Sequence, residues 1–288
     1  MMDYKKHNIN PLKLLVVAVC ATALMIGVES SKKFQKDPLL DFKLTAARLM
    51  KKAMDVIKKE RYQMGLTIER KDDPNETGLI GKDYTDLTTT LGSLSSKRTS
   101  TNPNFTGILV EMLFQAGVKE EDGVAISLSG SFPALNIALL SAVYALKLKP
   151  VIISSVGAST YGANEPQLTW LDMERILREN EIFPYISEAA SLGGLVETKG
   201  GLDGTGIEMG LKAIRRNGTP YLDEQGDKTL EEDIERRLAI YKRALGGKKP
   251  AVFINIGGTL TSLGNCPEAY ALFTGLLSKV PFSNHPQR

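Results

Sequence analysis

The sequence predicts an α/β fold: a largely parallel, doubly wound sheet with helices on both faces, preceded by an N-terminal membrane-anchor helix. Three observations carry this. Val124–Leu128, Val151–Ile153 and Ala251–Ile256 are short apolar runs without polar alternation, as expected of strands covered on both faces. The stretch between the first two, near Pro133 to Leu146, is apolar almost all round and reads as a buried crossover helix, completing a βαβ unit. Each run then ends in small residues: Ser129-Gly130-Ser131, Ser154-Ser155-Val156-Gly157-Ala158-Ser159 and Gly257-Gly258. Ligands of open α/β sheets sit outside the carboxyl ends of the strands, so the functional surface is expected there.

The N-terminus differs from the rest. Residues 1–36 hold six lysines against Asp3 and Glu29, whereas the remaining chain is close to neutral. The body therefore lacks the charge excess of a nucleic-acid binder. Within the basic segment, Leu14 to Val28 is apolar, extendable to Pro11 if Lys13 snorkels to the interface. A cleaved signal peptide and an uncleaved single-pass anchor compete here; the imperfect site at Val28-Glu29-Ser30 favours the anchor. The lysines give a mild lean to a cytoplasmic N-terminus and an extracytoplasmic body.

The expected organisation is a basic anchor segment (1–36), a helix with a polar loop region (37–101) and an α/β domain (102–288). Asp37-Pro38 opens a helix to about Gln63 with Phe42, Ala46, Leu49, Ala53, Val56 and Ile57 on its apolar face. Asp72–Gly81 reads as a linker or rim loop, and Thr88–Thr101 as a hydroxyl-rich loop carrying Lys97-Arg98. A helix after Asn102-Pro103 places Ile108, Leu109, Met112, Leu113 and Ala116 on one side. Thr169 to Asp172 starts another, with Asp172 near a capping-box position and Trp170 as a core residue. Pro184–Ile186 and Thr219–Leu222 are weak strands, and Thr205–Arg216 is a helix. Thr229 to Leu245 is an amphipathic helix, with Leu230, Ile234, Leu238 and Ala239 inward and Arg236 and Arg237 outward. The end at Ser283–Arg288 reads as loop and suggests that a further βα unit is missing.

Several chemistries are poorly supported. The chain has two cysteines, Cys20 and Cys266, and two histidines, His7 and His285, so neither a disulfide framework nor Cys/His metal spacing is expected. Ser127-Leu-Ser129-Gly130-Ser131 lacks the first glycine of a nucleophile elbow, and no histidine lies in the body to act as base. There is no Walker A sequence, and Gly204–Gly210 does not match the dinucleotide fingerprint, so no cofactor is expected. What remains is hydroxyls and backbone amides at strand ends and helix starts, which hold carboxylate or phosphate well. The candidate ligand-binding residues are Lys97, Arg98, Ser129, Gly130, Ser131, Asn136, Ser154, Ser155, Gly157, Ser159, Gly257 and Gly258. Two readings stand for the stretch around Lys97-Arg98: an anion-binding loop with Arg98 as a bidentate carboxylate or phosphate clamp, and a solvated Ser/Thr loop. Ser129 and Ser131 are the candidate nucleophiles should the protein be an enzyme whose serine is activated by lysine or a carboxylate.

Asp73-Pro-Asn-Glu-Thr-Gly-Leu-Ile-Gly81, Thr88-Thr-Thr-Leu-Gly-Ser93, Lys97-Arg-Thr-Ser-Thr-Asn-Pro103, Leu128-Ser-Gly-Ser-Phe-Pro-Ala-Leu-Asn136, Ile153-Ser-Ser-Val-Gly-Ala-Ser159 and Thr169-Trp-Leu-Asp-Met-Glu174 together resemble the poly-gamma-glutamate system protein family. The similarity covers nearly all of the chain after Leu40, although the family's later portion is not represented. The resemblance implies a bacterial, membrane-tethered accessory of poly-γ-glutamate capsule or polymer production. Its expected partners are the polymer or a glutamate-like anion, the membrane, and synthase or export subunits, with no nucleic acid. It implies no catalytic residues. The alternative expectation is a γ-glutamyl hydrolase or transferase.

Overall fold

A computed structural model describes residues 10–31, 37–194, 201–222, 229–258, 260–263 and 275–276. Cys266, His7, His285 and the expected break near the C-terminus lie outside the described residues. The chain divides into two units, residues 1–38 and 39–288.

The first unit contains α1 (Pro11–Ser31), with no buried residue. Its 21 residues rise about 30 Å, the thickness of a bilayer's hydrocarbon core. It is long and apolar enough to cross a membrane, a test that a signal sequence also passes.

The second unit is a mixed α/β body. Its elements, in order, are α2 (Leu40–Gln63), β1 (Thr88–Thr90), α3 (Leu94–Ser100), α4 (Phe105–Gln115), β2 (Gly123–Ser129), α5 (Pro133–Ala145), β3 (Lys149–Ser155) and β4 (Ala158–Ser159). There follow β5 (Asn164–Glu165), β6 (Leu168–Thr169), α6 (Trp170–Glu179), β7 (Ala189–Ser191), α7 (Gly204–Arg216), α8 (Leu230–Ala244), β8 (Phe253–Ile256) and α9 (Leu260–Leu263). The main sheet is parallel, in the order β7-β3-β2-β8. Alternate residues separate two cores. Val124, Ile126, Leu128 and Ile152 join the largest cluster, with Ile137 and Leu140 of α5 and Met50 and Ile57 of α2. Ala125, Val151 and Ile153 instead meet Tyr241 of α8. Because both faces are buried, no polar alternation is required, which is why β2 and β3 read as continuous apolar runs.

Several expectations are corrected. On α2 the expected Ala46, Ala53 and Ile57 are buried and Leu49 and Val56 partly so, Met50 and Met54 join them, and Phe42 alone of the expected face departs, being 41% exposed. On α4, Thr106, Val110 and Leu113 turn inward and Ile108 is exposed. On α8 the phase is shifted by one residue, burying Asp233, Arg237 and Tyr241 and leaving Leu238 60% exposed. The cause is polar reach into the sheet: the Tyr241 hydroxyl donates to the Ile126 carbonyl at 2.8 Å, and Arg237 donates to Ser191 Oγ at 3.1 Å. Asp72–Gly81 is not a free linker. Leu79 and Ile80 are buried, and buried Asp73 accepts from the Gly78 amide at 2.8 Å. Pro184–Ile186 is not a strand; the strand is β7, a few residues on. Thr219–Leu222 is reduced to one parallel bridge, Tyr221 to Ala190.

Candidate functional site

Parallel pairing brings the strand tips to one edge. Ser129 pairs with Ser155, and Leu128 lies opposite both Ser154 and Ile256. The chain runs from β2 to β3 to β7 in one direction and then adds β8 on the other side of β2. Between β2 and β8 the strand order therefore reverses, the position at which open sheets leave a crevice. Gly257, with φ of +73°, lies against the Ser129 hydroxyl so closely that a β-carbon there would collide with it. The tips after β2, β3 and β8 thus share one rim.

A second layer of residues reaches this rim through β1. The stretch from Thr88 to Thr101 is ordered rather than a loop, because β1 pairs in parallel with β4 and the Thr160 amide donates to the Thr90 carbonyl at 3.0 Å. The β1–α3 turn is pinned by Thr160, whose hydroxyl accepts from the Gly92 amide at 2.8 Å and donates to its carbonyl at 3.0 Å. Ser93 then caps α3, accepting from the Ser96 amide. One turn into α3, Lys97 points inward and is 2% exposed.

Lys97 is the centre of the site. Its ammonium donates to the Ser131 carbonyl and to Ser159 Oγ, the latter at 2.7 Å, and lies 3.6 Å from the centroid of the Phe132 ring. Among the described residues no carboxylate pairs with it. Burial pushes its amine down to about 8. Just past Phe132, α5 begins with Pro133 and has no side-chain cap, so its orphan amides add positive potential beside the cation.

The other candidate residues fall into three groups. Ser131 and Ser159 meet Lys97, and Ser129, Gly130 and Asn136 lie next to Ser131. Ser129 Oγ accepts from the Ser131 amide at 3.2 Å, Asn136 donates to the Ser129 carbonyl at 2.9 Å, and Ser131 Oγ accepts from the Ser159 amide at 3.0 Å. The Gly130 amide donates to the Ser155 carbonyl at 3.1 Å, Gly157 donates to Leu192 at 2.8 Å, and Gly257 and Gly258 are exposed at the β8 tip. Two residues turn elsewhere. Arg98 is spent on backbone, donating to the carbonyls of Asp72 (2.7 Å) and Lys71, and Ser154 faces α6.

Beneath Ser154 lies a network that the sequence did not single out. Buried Glu174 accepts from Trp170 Nε1 at 2.8 Å, from the Ser187 amide at 3.1 Å, and from the hydroxyls of Ser187 and Ser154. Burial pushes this carboxyl up to about 7, although those hydrogen bonds pull it down. Trp170 and Glu174 are one helical turn apart on α6, which the Thr169–Asp172 capping box starts, with the Thr169 amide donating to Asp172 at 2.7 Å. That spacing was the available signal.

No family model, curated protein or solved structure matches this chain.

Proposed function

We propose that this chain is a membrane-tethered α/β module whose rim holds a carboxylate of an anionic chain. In this reading it is an accessory of poly-γ-glutamate synthesis or export, working beside the synthase or export subunits, with its body extracytoplasmic. One observation carries the binding claim: Lys97 is buried without a carboxylate partner among the described residues. Burying an ion costs several kcal/mol unless it is paired, roughly. Elsewhere the fold pairs such groups: Arg61 meets Glu165 at 2.5 Å, and Asp172 meets Arg216 at 2.5 Å. An incoming carboxylate supplies the missing counter-charge, helped by the uncapped start of α5. The apolar α1 supports the tether, and the motif resemblance supports the polymer. The alternation of core clusters across β2 and β3, with the reversal of strand order beside β2, supports a doubly wound sheet.

The test is equilibrium binding of a fluorescent γ-glutamate oligomer to the full chain in detergent. Affinity is expected to fall at least about tenfold in Lys97→Met, the scale of a hydrogen bond to a charged group, and to weaken with added salt. Equal affinity of the two proteins rules the reading out.

A further inference from the structure

We propose that Ser159 and Lys97 form a serine–lysine pair that hydrolyses an amide bond in the carboxylate-bearing chain held at this rim. The substrate class rests on the binding reading above; the pair itself rests on separate geometry and works when the amide of that chain, rather than a carboxylate, lies beside Nζ. Each rim hydroxyl has a distinct partner. Ser129 Oγ takes the Ser131 amide, Ser131 Oγ takes the Ser159 amide, and Ser154 Oγ is committed to Glu174 and Ser187. Among these rim hydroxyls it is that of Ser159 that lies beside an amine, 2.7 Å from Lys97 Nζ. This moves the candidate nucleophile from Ser129 or Ser131 to Ser159.

The surroundings suit a base. Among the described residues no acid holds the proton on, and burial sets the amine near 8, which leaves a neutral fraction at mildly alkaline pH. The uncapped first turn of α5, which follows directly on Phe132, offers positive potential for a developing oxyanion. Lys97 and Ser159 are 2% and 5% exposed, and Gly92 overlies the hydroxyl: a β-carbon there would sit 2.9 Å from Ser159 Oγ. Substrate entry therefore requires the Leu91–Ser93 turn to lift, breaking the two hydrogen bonds between Thr160 and Gly92.

The chemistry balances without a cofactor. Neutral Lys97 takes the Ser159 proton as Oγ attacks the amide carbonyl. The resulting ammonium returns that proton to the departing amine, leaving an ester on Ser159. Water then gives a proton to Lys97 and attacks the ester; the C–Oγ bond breaks, Oγ takes the proton back, and the products are one amine and one carboxylic acid.

The test treats the full chain in detergent with an alkyl fluorophosphonate and maps the adduct by peptide mass, alongside incubation with the γ-glutamate oligomer and chain-length analysis. The expected results are an adduct on Ser159 forming faster as pH rises through about 8, and oligomer shortening that drops at least about 100-fold in Ser159→Ala and in Lys97→Arg. Arginine keeps a positive charge but does not release its proton. Wild-type protein that is unlabelled, or labelled at Ser129 or Ser131 instead, overturns the proposal whatever the variants do. Oligomer binding without adduct or shortening overturns the pair and leaves the binding reading standing. An adduct at Ser159 without oligomer binding removes the carboxylate reading and keeps the pair.

Discussion

Two buried ionisable groups flank the end of β3 and are treated in opposite ways. Glu174 is closed in by donors from Trp170, Ser187 and Ser154, so that whichever protonation state it holds has hydrogen-bonding partners. Lys97, beside Ser159 of β4, has one carbonyl, one hydroxyl and an aromatic ring, and no acid among the described residues. Serines of two successive strands are divided between them, Ser154 of β3 to Glu174 and Ser159 of β4 to Lys97. A polar cluster that satisfies itself holds the fold together; a buried charge left without its opposite awaits something from outside.

This contrast can be broken by substitution, and the largest effect is expected on the Glu174 side. Trp170→Ala removes a fully buried side chain and a donor, and should cost about 3–5 kcal/mol in denaturant unfolding. Ser187→Ala leaves Glu174 short of partners and should cost about 1–3 kcal/mol. Oligomer affinity at saturating folded protein should be unchanged in both; a large loss would make the network part of the site. Lys97→Met should do the reverse, raising stability at pH 7 by about 1–4 kcal/mol while affinity falls at least about tenfold.

The two groups also predict opposite pH slopes. Lys97 is lowered from 10.5 to about 8 on folding, so the unfolded chain binds the extra proton in that window and stability should rise with pH from about 8 to 10.5. Lys97→Met should abolish that rise. Glu174 is raised from 4.5 to about 7, so its contribution is present below 4.5 and lost as pH rises through about 7. Glu174→Gln should flatten that fall in a urea titration repeated across pH. The smallest effect belongs to Arg98→Ala. Because Arg98 is bonded to the Lys71 and Asp72 carbonyls, oligomer affinity should change by less than about twofold. A larger loss would restore Arg98 to the site.

The sheet was legible in the sequence because strands buried on both faces announce themselves as unbroken apolar runs, and parallel pairing then fixes where their tips lie. Helix phase was less legible. On α8 the inward residues are Asp233, Arg237 and Tyr241, so apolar periodicity pointed to the wrong face. The role of Lys97 was hidden for another reason. Its burial depends on Thr88 pairing with Ala158, contacts far apart in the chain, and a lysine among serines and threonines looks solvated until that pairing is made. Arg98, its neighbour, seemed equivalent in sequence and is turned away by a single step along α3.

The claim that Lys97 lacks a counter-charge until an anion arrives can be measured at the atom concerned. The Lys97 ammonium should be titrated by nitrogen-detected NMR in the full chain, with and without the γ-glutamate oligomer. A carboxylate bound beside Nζ should lift its titration from about 8 towards the ordinary lysine value. A titration that stays near 8 with the oligomer present at saturating concentration would contradict the account.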